Sequence, residues 1–586
     1  MFSRLSPLFP YLRRYWQSFL LGGLALVVYN CAKATVPLLV GAAVDDMQHG
    51  LTVMKVEHHA LQLLGVAAIS AVALYLTRQI IIGASREIEF DLRNDLFSHL
   101  ESQPPEFFQR HRTGDIMARS TNDLNAVRQL LGPAIMYSAN TLVFTALALP
   151  FMLRISPRLT LFAFLPLPFA SVLVQYFGAK IHTRFERIQA MFSDISAQAE
   201  ENFSGARLIR AFAQEDAQIA AFETSNQEYI RRSLMLARLM AMLWPTLEFV
   251  LGISLMITLL VGGREVVLHH ISVGDYTSYS VYMVQLTWPM IAIGWVVNLV
   301  QRGAASVVRI DQLMKEKPSI DDSGADPSLK DAPIAGTVEF RDLNFSYITG
   351  APVLHNVSLE IPAGSSLAIV GPTGSGKTTL VSLIPRLYDA APGAVLIDGR
   401  PIAEYPLHTL RAAIGFVPQE TFLFSTTIAD NITFGDTETT IRSHESIVEA
   451  ARTAHIATEI SEFPAGFDTV VGERGLTLSG GQKQRTAIAR ALLREPAILI
   501  LDDALASVDT YTEEQILSGL REVMQNRTTI LIAHRVSTAR NADRIAVLVD
   551  GRIAELGTHD ELLARGGYYT DLFEKQSLDE EILTAQ

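Results

Sequence analysis

Six apolar stretches, at residues 19–44, 60–82, 131–153, 159–177, 239–263 and 276–300, dominate the first half of the chain. Each is close to the ~20 residues that an α-helix needs to cross the hydrocarbon core of a bilayer. No water is present there to satisfy unpaired peptide groups, so the backbone must satisfy its own, as a helix does. The first half is therefore predicted to be an α-helical transmembrane domain of six spans. At 586 residues the chain is also too long for one core, so at least two units are expected.

The connections between the spans are unequal. Residues 156–158 and 264–275 are short joins, whereas 83–129 and 178–238 are too long for simple loops and carry charged residues at helical spacing. They read as membrane helices that run on into water and turn back. Arg13, Arg14, Arg86, Arg93, Lys180, Arg184, Arg187, Arg231 and Arg232 flank the N-terminus and these excursions. The positive-inside rule then places both on the cytoplasmic side and the short loops outside.

Composition narrows the class further. Mean hydropathy is +0.23, high for a soluble protein. A net charge of −13 with no basic face argues against nucleic acid as a partner. The single cysteine, Cys31, excludes an internal disulfide framework and a Cys-rich metal site. Its apolar run predicts a small buried hydrophobe. The first 15 residues are polar and basic and the apolar run after them is long enough to span, so a cleavable signal peptide is not expected. Lys33 and Glu248 fall in or near predicted spans, and an ionisable group at that depth either lines a pathway or pairs with a structural partner. Pro166, Pro168, Pro245 and Pro289 each remove a backbone donor and are candidate kinks.

The second half is organised around residues 371–378, Gly-Pro-Thr-Gly-Ser-Gly-Lys-Thr. The apolar run 366–370 before it is of buried-strand type, and 379–384 continue with helical spacing. A glycine-rich turn between strand and helix lets backbone N–H groups cradle phosphates. Gly371, Pro372, Thr373, Gly374, Ser375, Gly376, Lys377, Thr378 and Thr379 are thus candidate nucleotide contacts. Lys377 would reach the β- and γ-phosphates, and the Thr378 hydroxyl would be a Mg²⁺ ligand. Around this loop, from residue 337, short β-rich segments give way to alternating strands and helices, as in a mixed α/β domain. Residues 315–335, rich in Pro, Asp, Ser and Gly, read as the linker into it.

Within the excursions, residues 112–123 and 201–212 each pair a glycine break with a short amphipathic turn. With these segments the whole chain resembles the six-span exporters of the ATP-binding cassette (ABC) family, whose matching segments are coupling helices that press on the nucleotide-binding domains. The resemblance implies domains at 1–314 (transmembrane), 315–335 (linker) and 336–586 (α/β ABC nucleotide-binding domain), in a multi-pass cell-membrane protein with its N-terminus and ATPase domain in the cytoplasm.

Later motifs carry the resemblance beyond a generic ATPase. Residues 478–482, Leu-Ser-Gly-Gly-Gln, match the ABC signature, so Ser479, Gly480, Gly481 and Gln482 are expected at the nucleotide of another subunit. The apolar strand 497–501 ends in Asp502, the Walker B position, a Mg²⁺ ligand. Gln419 matches the Q-loop glutamine, a metal and γ-phosphate sensor. His534 matches the switch histidine, Tyr347 the aromatic that stacks on adenine, 507–509 the D-loop, and 469–475 the exporter segment before the signature. ATP and Mg²⁺ are the implied cofactors.

One residue departs from the pattern. Where the family carries a catalytic glutamate after Walker B, this chain has Asp503. Aspartate keeps the charge but is shorter by one C–C bond, ~1.5 Å, and a misplacement of about 1 Å can cost roughly a hundredfold in rate. Catalysis by Asp503, Gln419 and His534 is therefore expected to be slow. A weak Walker site beside an intact signature resembles the degenerate-site half of a heterodimeric multidrug-resistance-like exporter, paired with a different chain that bears the glutamate. The implied function is ATP-driven export of a hydrophobic or amphipathic substrate by alternating access. A homodimeric exporter or lipid flippase is the nearest rival. A membrane-anchored ATP sensor that transports nothing is the alternative of another class, and substrate-stimulated ATPase activity separates it from a transporter.

Overall fold

The computed structural model describes residues 5–48, 50, 52–347, 350–435, 442–472, 478–505, 510–525 and 527–584. The chain divides into two compact units, one of Met1–Glu101 with Arg112–Glu316, the other of Ser102–His111 with Lys317–Gln586.

The described residues of the first unit are almost all helical. After a short helix at Phe9–Arg14, its helices are α1 (Trp16–Gln48) and α2 (Val53–Glu101). After the short α3 (Pro105–Arg110), which belongs to the other unit, come α4 (Thr113–Ile155) and α5 (Pro157–Phe164). Then follow α6 (Leu167–Ser204), α7 (Ala206–Ala211), α8 (Glu215–Val267) and α9 (Val273–Lys315). Leu20, Leu24, Leu61, Leu64 and Leu161 are exposed. Apolar side chains turned outward over several helices suit lipid as solvent. Among the described residues five helices, α1, α2, α4, α8 and α9, are long and apolar enough to cross a membrane.

The fourth expected span, 159–177, is not one helix. It is divided between α5 and the start of α6 by a turn at Leu165-Pro166, because proline has no N–H to continue the ladder. Pro245 and Pro289, by contrast, lie inside helices that run on. Cys31 is exposed on α1, which corrects the expectation of a buried thiol; its helix turns that face away from the packed side carrying Asn30 and Ala34.

Polar contacts lock the unit where apolar packing alone has no direction. Asp45 on α1 accepts from the Gly274 N–H at 2.6 Å and from the Ser272 hydroxyl at 2.7 Å. Asp123 on α4 receives Arg309 Nε and Ser306 Oγ of α9, both at 2.8 Å. Lys33 faces the ring of Phe144, with Nζ 4.5 Å from its centroid, and Glu248 is exposed on α8.

Residues 112–123 are thus committed to packing within the first unit. The excursion segment that clusters with the second unit is Ser102–His111, a correction to the expected position of the first coupling helix. Pro104 and Pro105 interrupt the preceding helix, and the extended backbone at Pro104 and at His111 isolates α3 from the helices on either side. In the second excursion, α6 ends at Gly205 and the short α7 follows, at the expected break.

The second unit contains two sheets. A smaller one has strands β1 (Val338–Ser346), β2 (Pro352–Ile361), β4 (Val395–Ile397) and β5 (Arg400–Pro401) in the order β2-β1-β4-β5. The larger adds β3 (Ser366–Val370), β6 (Ile414–Val417), β7 (Ile498–Asp502), β8 (Thr528–Ile532), β9 (Arg544–Val549) and β10 (Arg552–Gly557), in the order β10-β9-β3-β8-β7-β6. Its central strands β3, β7 and β8 are buried end to end because both faces are covered. Ala368, Val370, Leu499 and Leu501 enter one core, and Leu367, Ile369, Ile498 and Ile500 enter the other, as the period of two requires.

Candidate nucleotide-binding site

Strands β3, β8, β7 and β6 are parallel neighbours, so their C-terminal ends form one rim. The phosphate loop, His534, Asp502 with Asp503, and Gln419 follow those four ends in turn. Ligands of open α/β sheets bind at this rim, where loops diverge from adjacent strands.

The loop's glycines are dictated by space. Gly371 has φ +149°, and a Cβ there would lie 2.1 Å from the carbonyl oxygen of Leu548. Gly376, at φ +97°, precedes α10 (Lys377–Ser382), and its Cβ would meet Leu354 at 2.9 Å. Lys377 folds back over the loop, Nζ donating to the carbonyls of Gly371 and Pro372 at 2.9 Å each. Its burial lowers the ammonium below the usual lysine range, opposed by Asp503 and Asp502. Thr378 Oγ1 donates to Asp502 Oδ1 at 3.1 Å, joining loop and β7. The Tyr347 and Thr379 hydroxyls are 2.9 Å apart.

Two buried atoms test the fit of nucleotide and metal. Among the described residues, Asp502 Oδ2 and Ser375 Oγ are buried with no hydrogen-bond partner. Burial pushes the Asp502 carboxyl above the usual range. An unpartnered carboxylate oxygen beside a threonine hydroxyl and a lysine suits a divalent cation bound next to phosphates.

Beside the loop lies a cavity of about 410 Å³ whose lining includes Thr373, Gln419, Asp503 and His534. Asp503 has φ +49°, a left-handed conformation that short Asp adopts more readily than most residues. Its Oδ2 is 3.5 Å from Gln419 Nε2 and 3.7 Å from His534 Nε2. Burial raises its carboxyl above the usual range, against the pull of His534 and the Gln419 contact.

The signature residues are engaged with one another. Ser479 caps α11 (Gly480–Leu493), its hydroxyl accepting from the Gln482 N–H at 3.2 Å. Gln482 Oε1 returns the bond to the Ser479 N–H at 2.9 Å, and its Nε2 donates to Glu459 at 2.9 Å. Gly480 and Gly481 open the helix. Among the described residues no side-chain hydrogen bond joins these four to the phosphate loop. The D-loop, 507–509, lies outside the described residues, as do positions 473–475 of the exporter segment.

Residues 19–290 match the model for the ABC transporter transmembrane region, and 354–506 that for the ABC transporter. Over 583 residues the chain is 38% identical to the Multidrug resistance-like ATP-binding protein MdlA of Escherichia coli, covering 99% of this chain and 97% of that one. The chain belongs to the ABC exporters, as a half-transporter. It is also 34% identical to the ATP-dependent lipid A-core flippase of Syntrophus aciditrophicus, across 99% of this chain and 95% of the flippase. Among solved structures it matches a bacterial Atm1-family ABC exporter with ATP bound, at TM-score 0.77 and 29% identity, covering 96% of this chain and 98% of that one. The half-transporter is accordingly a membrane-spanning, ATP-binding protein of the transport ATPases.

The fold brings further residues to this half-transporter's site that no motif marks. Gln576, on α12 (Tyr568–Thr584), donates from Nε2 to the His534 carbonyl and accepts the Val536 N–H at Oε1, both at 2.8 Å. Buried Glu513 binds Arg535 of the same loop and Thr538 of the helical turn that follows it. On the other side Tyr388 packs edge-on against Tyr347, with centroids 5.2 Å apart. Its hydroxyl accepts from Gln109 Nε2 of α3 at 2.8 Å. Sequence separations of 42 and 279 residues left these pairs without a local signal.

Proposed function

We propose that this half-transporter exports a hydrophobic or amphipathic substrate by alternating access, paired with a different half-transporter that carries the Walker B glutamate. In this reading the transmembrane domain spans 1–314 apart from Ser102–His111, which clusters with the second unit; 315–335 lead into the ATPase domain of 336–586, and the N-terminus and the ATPase domain are cytoplasmic. ATP phosphates bind the 371–379 loop and Lys377, and adenine stacks on Tyr347. Asp502, Thr378 and Gln419 hold Mg²⁺, which supplies charge neutralisation of the phosphates when bound. Asp503 is the candidate base for the attacking water, and His534 donates toward the γ-phosphate. Ser479 to Gln482 serve the nucleotide of the partner. ATP drives closure only insofar as it binds the closed state better than the open one.

The observation that carries the heterodimer reading is Asp503. Its short carboxylate sits against Gln419 and His534, a side chain one methylene shy of the length usual at that place. The test is the ATPase rate of the purified chain alone in lipid, beside Asp503→Glu, with the native mass recorded. A nearly silent wild type that glutamate awakens supports a slow site needing an unlike partner. Brisk wild-type turnover as a dimer of identical chains rejects it. That outcome would favour the second reading, a homodimeric exporter or lipid flippase, which the similarity to a lipid A-core flippase supports.

A further inference from the structure

Away from the nucleotide site, α6 and α8 run side by side and enclose a cleft of about 310 Å³ lined by Arg184, Arg187, Ile188, Arg231, Arg232 and Met235. In a chain of net charge −13, four guanidinium groups converging on one cavity need an explanation. The positive-inside rule accounts for arginines near the membrane but not for their meeting across two helices.

The cleft is organised rather than merely charged. Glu228 holds Arg231 and Arg232 side by side, at 2.7 Å from each. Across the cleft, Arg184 Nη1 donates to the Met235 carbonyl at 3.2 Å, which fixes its position, and among the described residues it has no carboxylate within ion-pair distance. Among the described residues Arg187 has no carboxylate partner, and the neighbouring Glu186 is turned to His182 at 3.2 Å. Ile188 is buried at 8% exposure and Met235 is at the surface, so apolar contact accompanies the charges.

Position supplies the ligand class. Arg184 lies seven residues beyond the apolar stretch 159–177, and Arg232 seven before 239–263. At 1.5 Å per helical residue each is about 10 Å from the end of the apolar run, where long arginine side chains reach the head-group layer. Guanidinium groups bind phosphate oxygens in bidentate fashion, and basic pockets between membrane helices on the cytoplasmic side bind anionic head groups.

We propose that this cleft binds the phosphate-bearing head group of an anionic membrane lipid at the cytoplasmic face. The proposal rests on the orientation assigned above but not on transport or hydrolysis. Two pairs of guanidiniums on facing helices suit a head group with two phosphates, so cardiolipin is the probe, with phosphatidylcholine as control.

The experiment is native mass spectrometry of the full-length protein in detergent, without nucleotide, titrated with each lipid. Cardiolipin should bind in preference to phosphatidylcholine, more weakly as salt rises. Arg184→Ala with Arg187→Ala, and separately Arg231→Ala with Arg232→Ala, should each weaken cardiolipin at least about tenfold. Lysine at the same positions keeps the charge and should retain much of the binding, which guards against a folding defect in the alanine pairs. Equal binding of both lipids, or unchanged affinity in both alanine pairs, would overturn the proposal. So would inorganic phosphate binding as tightly as cardiolipin, which would make the ligand a free anion, or alanine pairs that split a dimer while leaving lipid binding intact. Because the readout needs no ATP turnover, the lipid result and the ATPase test of the export reading succeed or fail independently of each other.

Discussion

The Gln576 amide closes on the backbone at His534, donating to its carbonyl at 2.8 Å, while the same amide accepts the Val536 N–H at 2.8 Å. The C-terminal helix thereby fixes the loop that presents the histidine to the cavity. Gln576→Ala should leave nucleotide binding intact and slow hydrolysis by roughly tenfold to a hundredfold, the scale of an ~1 Å misplacement. The measurement belongs in the Asp503→Glu background, where turnover at this site is expected to be fast enough to read. A fall in ATP affinity with unchanged turnover would contradict the positioning role.

Gln109 and Tyr388 connect α3 to the Tyr347 side of the nucleotide site through a 2.8 Å hydrogen bond. Gln109→Ala and Tyr388→Phe should each raise amide hydrogen exchange in Pro105–Arg110, and the double variant should do no more than either single one. Residues sharing one hydrogen bond couple by about 0.5–3 kcal/mol in such cycles. Strict additivity would mean that the bond contributes nothing in solution.

Asp502 gives a pH dependence with a definite sign. Burial raises its folded-state pKa above the ordinary carboxylate value, so the native state holds its proton to higher pH than the unfolded chain does. Stability is unaffected below about pH 4, where both states are protonated, and is lost as pH rises through the elevated folded value. Nucleotide-free Asp502→Asn should therefore melt above wild type near neutrality, with the gap closing toward acid. Saturating Mg²⁺ and ATP should reverse the order. A gap that ignores pH would show that ionisation is not its cause.

Gly371 tolerates no side chain. At φ +149° with Leu548 O only 2.1 Å from a built Cβ, Gly371→Ala carries at least the roughly 1–3 kcal/mol of a strained backbone. The clash adds to that. A lowered melting temperature together with weakened ATP binding is the expected result, and an alanine variant with wild-type values for both would disprove the geometry.

The sequence by itself determined the helical and α/β halves, the phosphate loop with Lys377 and Thr378, the signature helix, and the substitution at Asp503. These rest on short-range rules: apolar run length, strand period, and glycines at fixed offsets in one turn. Tertiary structure alone decided which part of the first excursion joins the α/β unit, because residues 112–123 and 102–111 are both short and amphipathic and only the pairing of Asp123 with Arg309 and Ser306 assigns the former to the helices. It also decided that Cys31 faces outward, since a span that is apolar on nearly every side has no periodic stripe to say which side packs. The same holds for Gln576, Tyr388 and the arginine cleft of α6 and α8. Their meaning lies in contacts between residues tens to hundreds of positions apart, and the energy of such a contact exists only once the chain has folded and brought the partners together.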